Sequence, residues 1–189
     1  MDNSPHDFIL NHQEKDLKRF ESFKHRTFNL TDTLYFLSFF KEYYNQHDSL
    51  EDAFVEKLND GHENVEQALI GFYDCFFAMP EIPERTRKHI ATPQRNSACK
   101  RINMFLRWMV RKDEAGVDFG LWNKIKTSQL ICPLDVHVGR IAHQLNLIEQ
   151  NKSDWKTALE LTGNLKKFDP IDPVKYDYAL FGMGVMEEN

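Results

Sequence analysis

Long uncharged apolar runs are missing from this 189-residue sequence. The longest, such as Thr33 to Phe40, fall far short of the roughly 20 residues that a membrane-spanning helix needs. No basic-then-apolar segment opens the chain, so a cytoplasmic protein is expected. Cysteine is scarce: Cys75, Cys99 and Cys132 are odd in number, widely spaced and form no CxxC pair. That argues against a disulfide framework, a zinc knuckle and an iron–sulfur cluster, and it predicts buried reduced thiols. The eight histidines show neither HxxxH nor HxH spacing, so neither a metal nor a cofactor is expected. Alternating strand patterns, internal repeats and low-complexity tracts are absent as well.

What remains is helical periodicity almost throughout. Asn29 or Thr31 can cap a helix in which Phe36, Phe39, Phe40, Tyr43 and Tyr44 share a face, and Ser49 opens a short helix with Glu51 and Asp52 in its first turn. Val65, Ala68, Leu69, Phe72, Tyr73 and Phe76 recur at helical spacing until Pro80 and Pro83 stop the element. Residues 84–96 are polar, basic and broken by Pro93, and read as a loop with room for one helical turn. Ser97 begins a helix with Ile102, Phe105, Leu106 and Met109 inward and Lys100, Asn103, Arg107 and Arg111 on the opposite stripe. After a short element near 119–126 come a helix behind Pro133, one starting at Ser153, and a last one starting at Asp172-Pro173 and ending in Gly182-Met183-Gly184. The expected architecture is one all-α domain over 1–189, a non-bundle globule of seven to eight short helices.

Charge is distributed unevenly over this chain. The net charge is −5, yet residues 1–80 carry 7 basic and 15 acidic side chains, whereas 84–112 carry 9 basic and 1 acidic. An acidic helical part (1–83) therefore precedes a part (84–189) that opens with a basic segment. Such a segment is a candidate polyanion site, because phosphate contacts come mainly from Lys and Arg. A solvated helix face with a charged loop would look the same.

Cys132-Pro-Leu-Asp-Val-His-Val-Gly-Arg140 is the most informative stretch. Asp135 follows a proline-enforced extended turn and precedes an amphipathic helix, so its carboxylate lies at a helix N-terminus. There it can serve as a plain N-cap, or, held ionised by backbone amides, it can stabilise a neighbouring cation. Arg140 and His143 on the same helix could meet phosphate or solvent.

Pro133-Leu-Asp-Val-His-Val-Gly-Arg-Ile-Ala142 resembles the segment that carries the catalytic aspartate in the helix-hairpin-helix (HhH-GPD) base-excision DNA glycosylases. More specifically, Ser97–Arg111, Val117–Trp122, the Asp135 segment and Asp172–Gly184 look like a bacterial family of unknown function within that superfamily. Among its characterised members the archaeal 8-oxoguanine DNA glycosylases are most similar. The resemblance covers the C-terminal half. It implies an all-helical glycosylase fold, with Asp135 matching the catalytic aspartate. The usual Leu-Pro-Gly-Val-Gly hairpin before the nucleophilic lysine is missing: positions 116 and 117 are Gly and Val, without a neighbouring Lys. The archaeal branch carries its lysine in a Lys-x-x-Asn context, and Lys100-Arg101-Ile102-Asn103 is similar, with Lys112 the second candidate. The resemblance also implies helices ahead of those seen here, with Met1–Pro5 similar to an internal stretch.

The chemistry so implied is coherent. A damaged base, an oxidised purine, would be flipped from the duplex into a pocket of Asn103, Phe105, Trp108 and Trp122, unless these aromatics serve only as core. Asp135 would stabilise the oxocarbenium-like sugar, and Lys100 would attack the sugar carbon and form a Schiff base. Were Lys100 only a phosphate contact, Asp135 would activate water and the enzyme would be monofunctional. Arg85, Arg87, Lys88, Arg95, Arg101, Arg107, Arg111 and Arg140 would hold the DNA backbone, with amides near Ser97 receiving a phosphate. The alternatives are a DNA-binding protein of the same fold without the chemistry, and a helical protein-interaction domain.

Overall fold

In a computed structural model the chain folds as a mostly helical protein. The structure describes residues 4–114 and 116–186. Short helices α1 (Pro5–Asn11) and α2 (Glu14–Leu17) lead to a two-stranded antiparallel hairpin, β1 (Lys24–His25) and β2 (Phe28–Asn29). This hairpin departs from the expectation of no strand. Two residues per strand are too short to show alternation, and Arg26 turns the chain with φ of 55°, in the left-handed region that hairpin turns use.

Helix α3 (Leu30–Tyr44) starts in a capping box: Asn29 is the N-cap and its amide donates to the Asp32 carboxylate at 3.0 Å. Tyr35, Phe39 and Tyr43 of α3 are buried, and Phe36, Phe40 and Tyr44 flank them half-buried. Helices α4 (Glu51–Val55) and α5 (Glu66–Phe76) pack together through Phe54 and Phe72, stacked with centroids 4.2 Å apart. All six apolar positions expected to face inward from α5 and its lead-in are buried. Each of its large side chains contributes about 1.5–3 kcal/mol by leaving water. The basic stretch 84–96 holds two 3-10 turns, Glu84–His89 and Pro93–Arg95.

Helix α6 (Lys100–Val110) is followed by an irregular stretch and a 3-10 turn (Thr127–Gln129), then by α7 (Val136–Gln144) and α8 (Trp155–Lys166). A 3-10 turn at Pro173–Tyr176 runs into α9 (Asp177–Met186). Asp154, rather than Ser153, caps α8, accepting from the Thr157 amide at 2.9 Å. Two glycines do not stop α9, which continues through Gly184 to Met186. One apolar cluster extends from Tyr35 to Leu180 and includes Cys99 and Cys132. Among the described residues no helix is long and apolar enough to cross a membrane.

Candidate functional site

Two helix N-termini meet at the site. Lys100 opens α6, and Asp135 is the N-cap of α7, its carboxylate accepting from the amides of His137 (3.0 Å) and Val138 (2.9 Å). Although 35 positions apart in sequence, Lys100 Nζ lies 3.1 Å from Asp135 Oδ2. Cys99, just before the lysine, has φ of 50°, a conformation a non-glycine residue adopts at a cost of order 1–3 kcal/mol. Its amide donates to Ser97 Oγ at 3.2 Å, and this turn sets the direction in which α6 delivers Lys100. Burial pushes the Asp135 carboxyl up. The Val138 and His137 amides and the Lys100 ammonium outweigh that and hold it below its ordinary value.

Beside this pair opens a cavity of about 580 Å³, in the range of small-molecule sites. Phe40, Leu50, Phe54, Phe72, Ile102 and Phe105 form its apolar walls, and Lys88, His89, Ser97, Lys100 and Arg101 bring polar atoms to it. Helical spacing alone places Phe40 and Phe72 in apolar stripes and singles out nothing at Phe54, because a helical aromatic stripe looks the same whether it meets another helix or a cavity.

Of the four expected pocket residues only Phe105 lines this cavity. Trp122 is a correction: it is 6% exposed, edge-on to Phe105 at 5.4 Å and tilted against Phe54 at 5.3 Å, so it packs in the core rather than on the cavity wall. Asn103 is also buried, its amide donating to the Ala98 carbonyl at 3.1 Å. Trp108 is half-buried and lies off the cavity wall; its carbonyl anchors the chain that returns along α6, accepting from the Phe119 amide at 2.7 Å.

The basic stripe of α6 is the larger correction. Asn103, Leu106, Arg107 and Val110 form its buried face, so Asn103 and Arg107 of the stripe expected to face solvent lie inside together with Leu106. Arg107 is 2% exposed. It donates to Asp177 at 2.6 Å and to Asp118 at 3.1 Å, with the Tyr178 ring 4.1 Å from its guanidinium carbon. Arg111 chelates Asp172, with Nε at 2.9 and 3.0 Å from its two oxygens, and also reaches Asp118. Neither guanidinium is available to DNA, because each already holds carboxylates in a low-dielectric setting. Arg140 is half-buried and already donates to the Gly184 carbonyl.

The remaining basic residues differ in freedom. Arg87 pairs with Glu84 at 3.1 Å and lies over the Phe77 ring. Arg85 donates to the Thr27 carbonyl at 2.9 Å and stands 3.4 Å from the buried Asp32. Arg95 is exposed and lies over Tyr73. Lys88 and Arg101 are exposed cavity residues. Lys112 pairs its backbone with Phe119 just beyond the C-terminal end of α6. At 1.5 Å per residue it stands about 18 Å along the helix from Lys100, so Lys100, not Lys112, meets Asp135.

Asp177, the partner of Arg107, also feels the charges of Asp135 and Lys100. Burial pushes its carboxyl above the ordinary value against the opposing pull of Arg107. Three acids, Asp118, Asp172 and Asp177, were thus the unseen partners of the basic stripe. The excess of acid after residue 112 was the only sequence signal for them.

Comparison with known proteins adds a family. A family model described as "Protein of unknown function (DUF2400)" matches residues 1–186. No curated protein and no solved structure matches the chain.

Proposed function

The chain belongs to the DUF2400 family, and from the Lys100–Asp135 pair we propose that it is a base-excision DNA glycosylase with lyase activity, of the helix-hairpin-helix kind, acting on an oxidised purine in the cytoplasmic nucleoid. The observation that carries this reading is one distance. An amine and a carboxylate from separate helices stand 3.1 Å apart at the edge of an aromatic-walled cavity. Two such groups can divide the work of N-glycosidic cleavage.

In this reading Lys100 gives up its ammonium proton to solvent, and the freed amine attacks the sugar carbon that bears the base, while the Asp135 carboxylate stays ionised. The glycosidic bond breaks, and its electron pair leaves with the base, which gains a proton. The carboxylate, held ionised by two backbone amides, stabilises positive charge on the sugar while that bond is breaking. Opening of the sugar then gives a Schiff base between Lys100 and the former anomeric carbon, from which strand cleavage by elimination can follow.

Borohydride trapping on an 8-oxoguanine duplex tests the proposal. Wild type and Lys112→Gln should give a covalent adduct, and Lys100→Gln none. Asp135→Asn should lose base excision while keeping DNA affinity. An adduct that persists in Lys100→Gln would dismiss Lys100 as the nucleophile. Measurable DNA binding without excision by wild type would leave a DNA-binding protein of the same fold.

A further inference from the structure

A second cavity, of about 500 Å³, adjoins the first. His25, Arg26 and Thr27 from the hairpin, Phe28, Phe36, His89 and Arg101 line it, and it shares His89 and Arg101 with the first. The two differ in chemistry. The first is walled mainly by aliphatic and aromatic side chains, whereas the second gathers two arginines and two histidines against two phenylalanines. No carboxylate lines either one. Asp32, in contact with His89 of this wall, is fully buried. It is already engaged by Thr86 Oγ1 at 2.9 Å, His89 at 3.3 Å and Arg85 at 3.4 Å.

The cations here are also unspent. Among the described residues, the side chains of Arg26 and Arg101 have no carboxylate or hydrogen-bond partner, whereas Arg107 and Arg111 on the other face of α6 are saturated with aspartates. Unpaired guanidiniums with low-dielectric walls focus positive potential, and a guanidinium offers paired donors that match the oxygens of a phosphate. Arg101, second in α6, adds its charge where the helix dipole also favours an anion. The left-handed turn at Arg26 brings the hairpin to this wall, which gives a chemical use to a part of the chain that the glycosylase resemblance leaves unassigned.

We propose that the two cavities form one bipartite site for a nucleoside phosphate, with a planar heterocycle in the aromatic cavity and the phosphate held by Arg101 and Arg26, aided by His25. The ligand can be a free mononucleotide or an unstacked nucleotide within a strand. In the second form the proposal rests on the glycosylase reading, because the strand would then be its substrate.

Calorimetric titration of the full chain with dGMP, deoxyguanosine, inorganic phosphate and a short single-stranded oligonucleotide separates these cases. Expected is binding of dGMP at least tenfold tighter than of deoxyguanosine, with a tenfold or greater loss in Arg101→Ala and in Arg26→Ala. Both positions are exposed, and circular dichroism would confirm that the variants fold. Oligonucleotide binding with the same losses, but no dGMP binding, supports the site with a strand as its source. Equal affinity for nucleoside and nucleotide, affinities unmoved by both substitutions, or no binding of any nucleotide ligand would overturn the site. The two readings fail separately. Nucleotide binding that survives Asp135→Asn, without trapping in wild type, removes the glycosylase and keeps the site. Trapping by wild type on the duplex, with no binding of dGMP or of the single-stranded oligonucleotide, does the reverse.

Discussion

Arg107 shows how far one side chain's role depends on what surrounds it. It sits 2% exposed between Asp118 and Asp177, so removing its charge leaves the buried Asp177 without its cation and Asp118 with Arg111 alone. Breaking a buried ion pair on one side costs about 3–5 kcal/mol. Arg107→Ala should therefore lower unfolding stability by that order in urea denaturation. A loss under 1 kcal/mol would mean that the guanidinium is not the structural partner described here. Asp135 has two roles, and substitutions separate them. Asp135→Ala removes the acceptor of two helix amides and should cost about 1 kcal/mol, whereas Asp135→Asn keeps a capping oxygen and should cost less. The Asp135 carboxyl is held below its ordinary value, so the unfolded chain binds its proton more tightly. Its stabilisation is complete above the ordinary carboxyl range near pH 4 and declines as pH falls through the lower folded value. In acid unfolding followed by circular dichroism, Asp135→Asn should flatten the pH dependence in that window; an unchanged slope would contradict the shift.

At the scale of elements, α6 is rotated from its expected orientation, with Leu106 still inside and Asn103 and Arg107 brought in beside it. Of Ile102, Phe105, Leu106 and Met109, all expected inward, Leu106 is fully buried and the other three are half-buried, with Ile102 and Phe105 on the cavity, while the Arg107 side meets the acidic C-terminal segment. Periodicity finds a helix and its two stripes, but an arginine stripe satisfied by aspartates packs as tightly as an apolar one. The position of Asp135 depends on a second contact, between α7 and α9. A Cβ placed on Gly184 would come 2.8 Å from the His137 Cβ and 3.0 Å from its carbonyl oxygen, so α9 approaches α7 only because this residue is glycine. Gly184→Ala should destabilise by about 1–3 kcal/mol through overpacking. It should also slow any excision, because α7 carries the aspartate. Differential scanning calorimetry reads the first effect, and a melting temperature within a degree of wild type would show that the helices part easily.

For the whole molecule, the charge asymmetry is real but smaller as a DNA footprint than the sequence implies. Eight basic side chains were expected on phosphate, which corresponds to a slope of log affinity against log salt of about −7. With Arg107, Arg111 and Arg140 occupied internally and Arg87 paired with Glu84, four exposed cations remain, Arg85, Lys88, Arg95 and Arg101. The expected slope is then about −4. Duplex binding by fluorescence anisotropy across a salt series distinguishes the two, and a slope near −7 would require the buried arginines to be released.

By itself the sequence determined the helical class, the α5 core face, the capped start of α7 at Asp135 and the basic segment, because each depends on spacing within about a dozen residues. It also pointed to Lys100 and Asp135, but only as separate residues. Tertiary structure decided that these two meet at 3.1 Å, that the arginine stripe turns inward, and that the hairpin wall and the aromatic stripes of α3 and α5 border cavities. All three depend on contacts between residues tens of positions apart. Local periodicity carries no information about which element will lie opposite, and in this molecule the acids that settled the orientation of α6 arrive from as far as 70 residues along the chain.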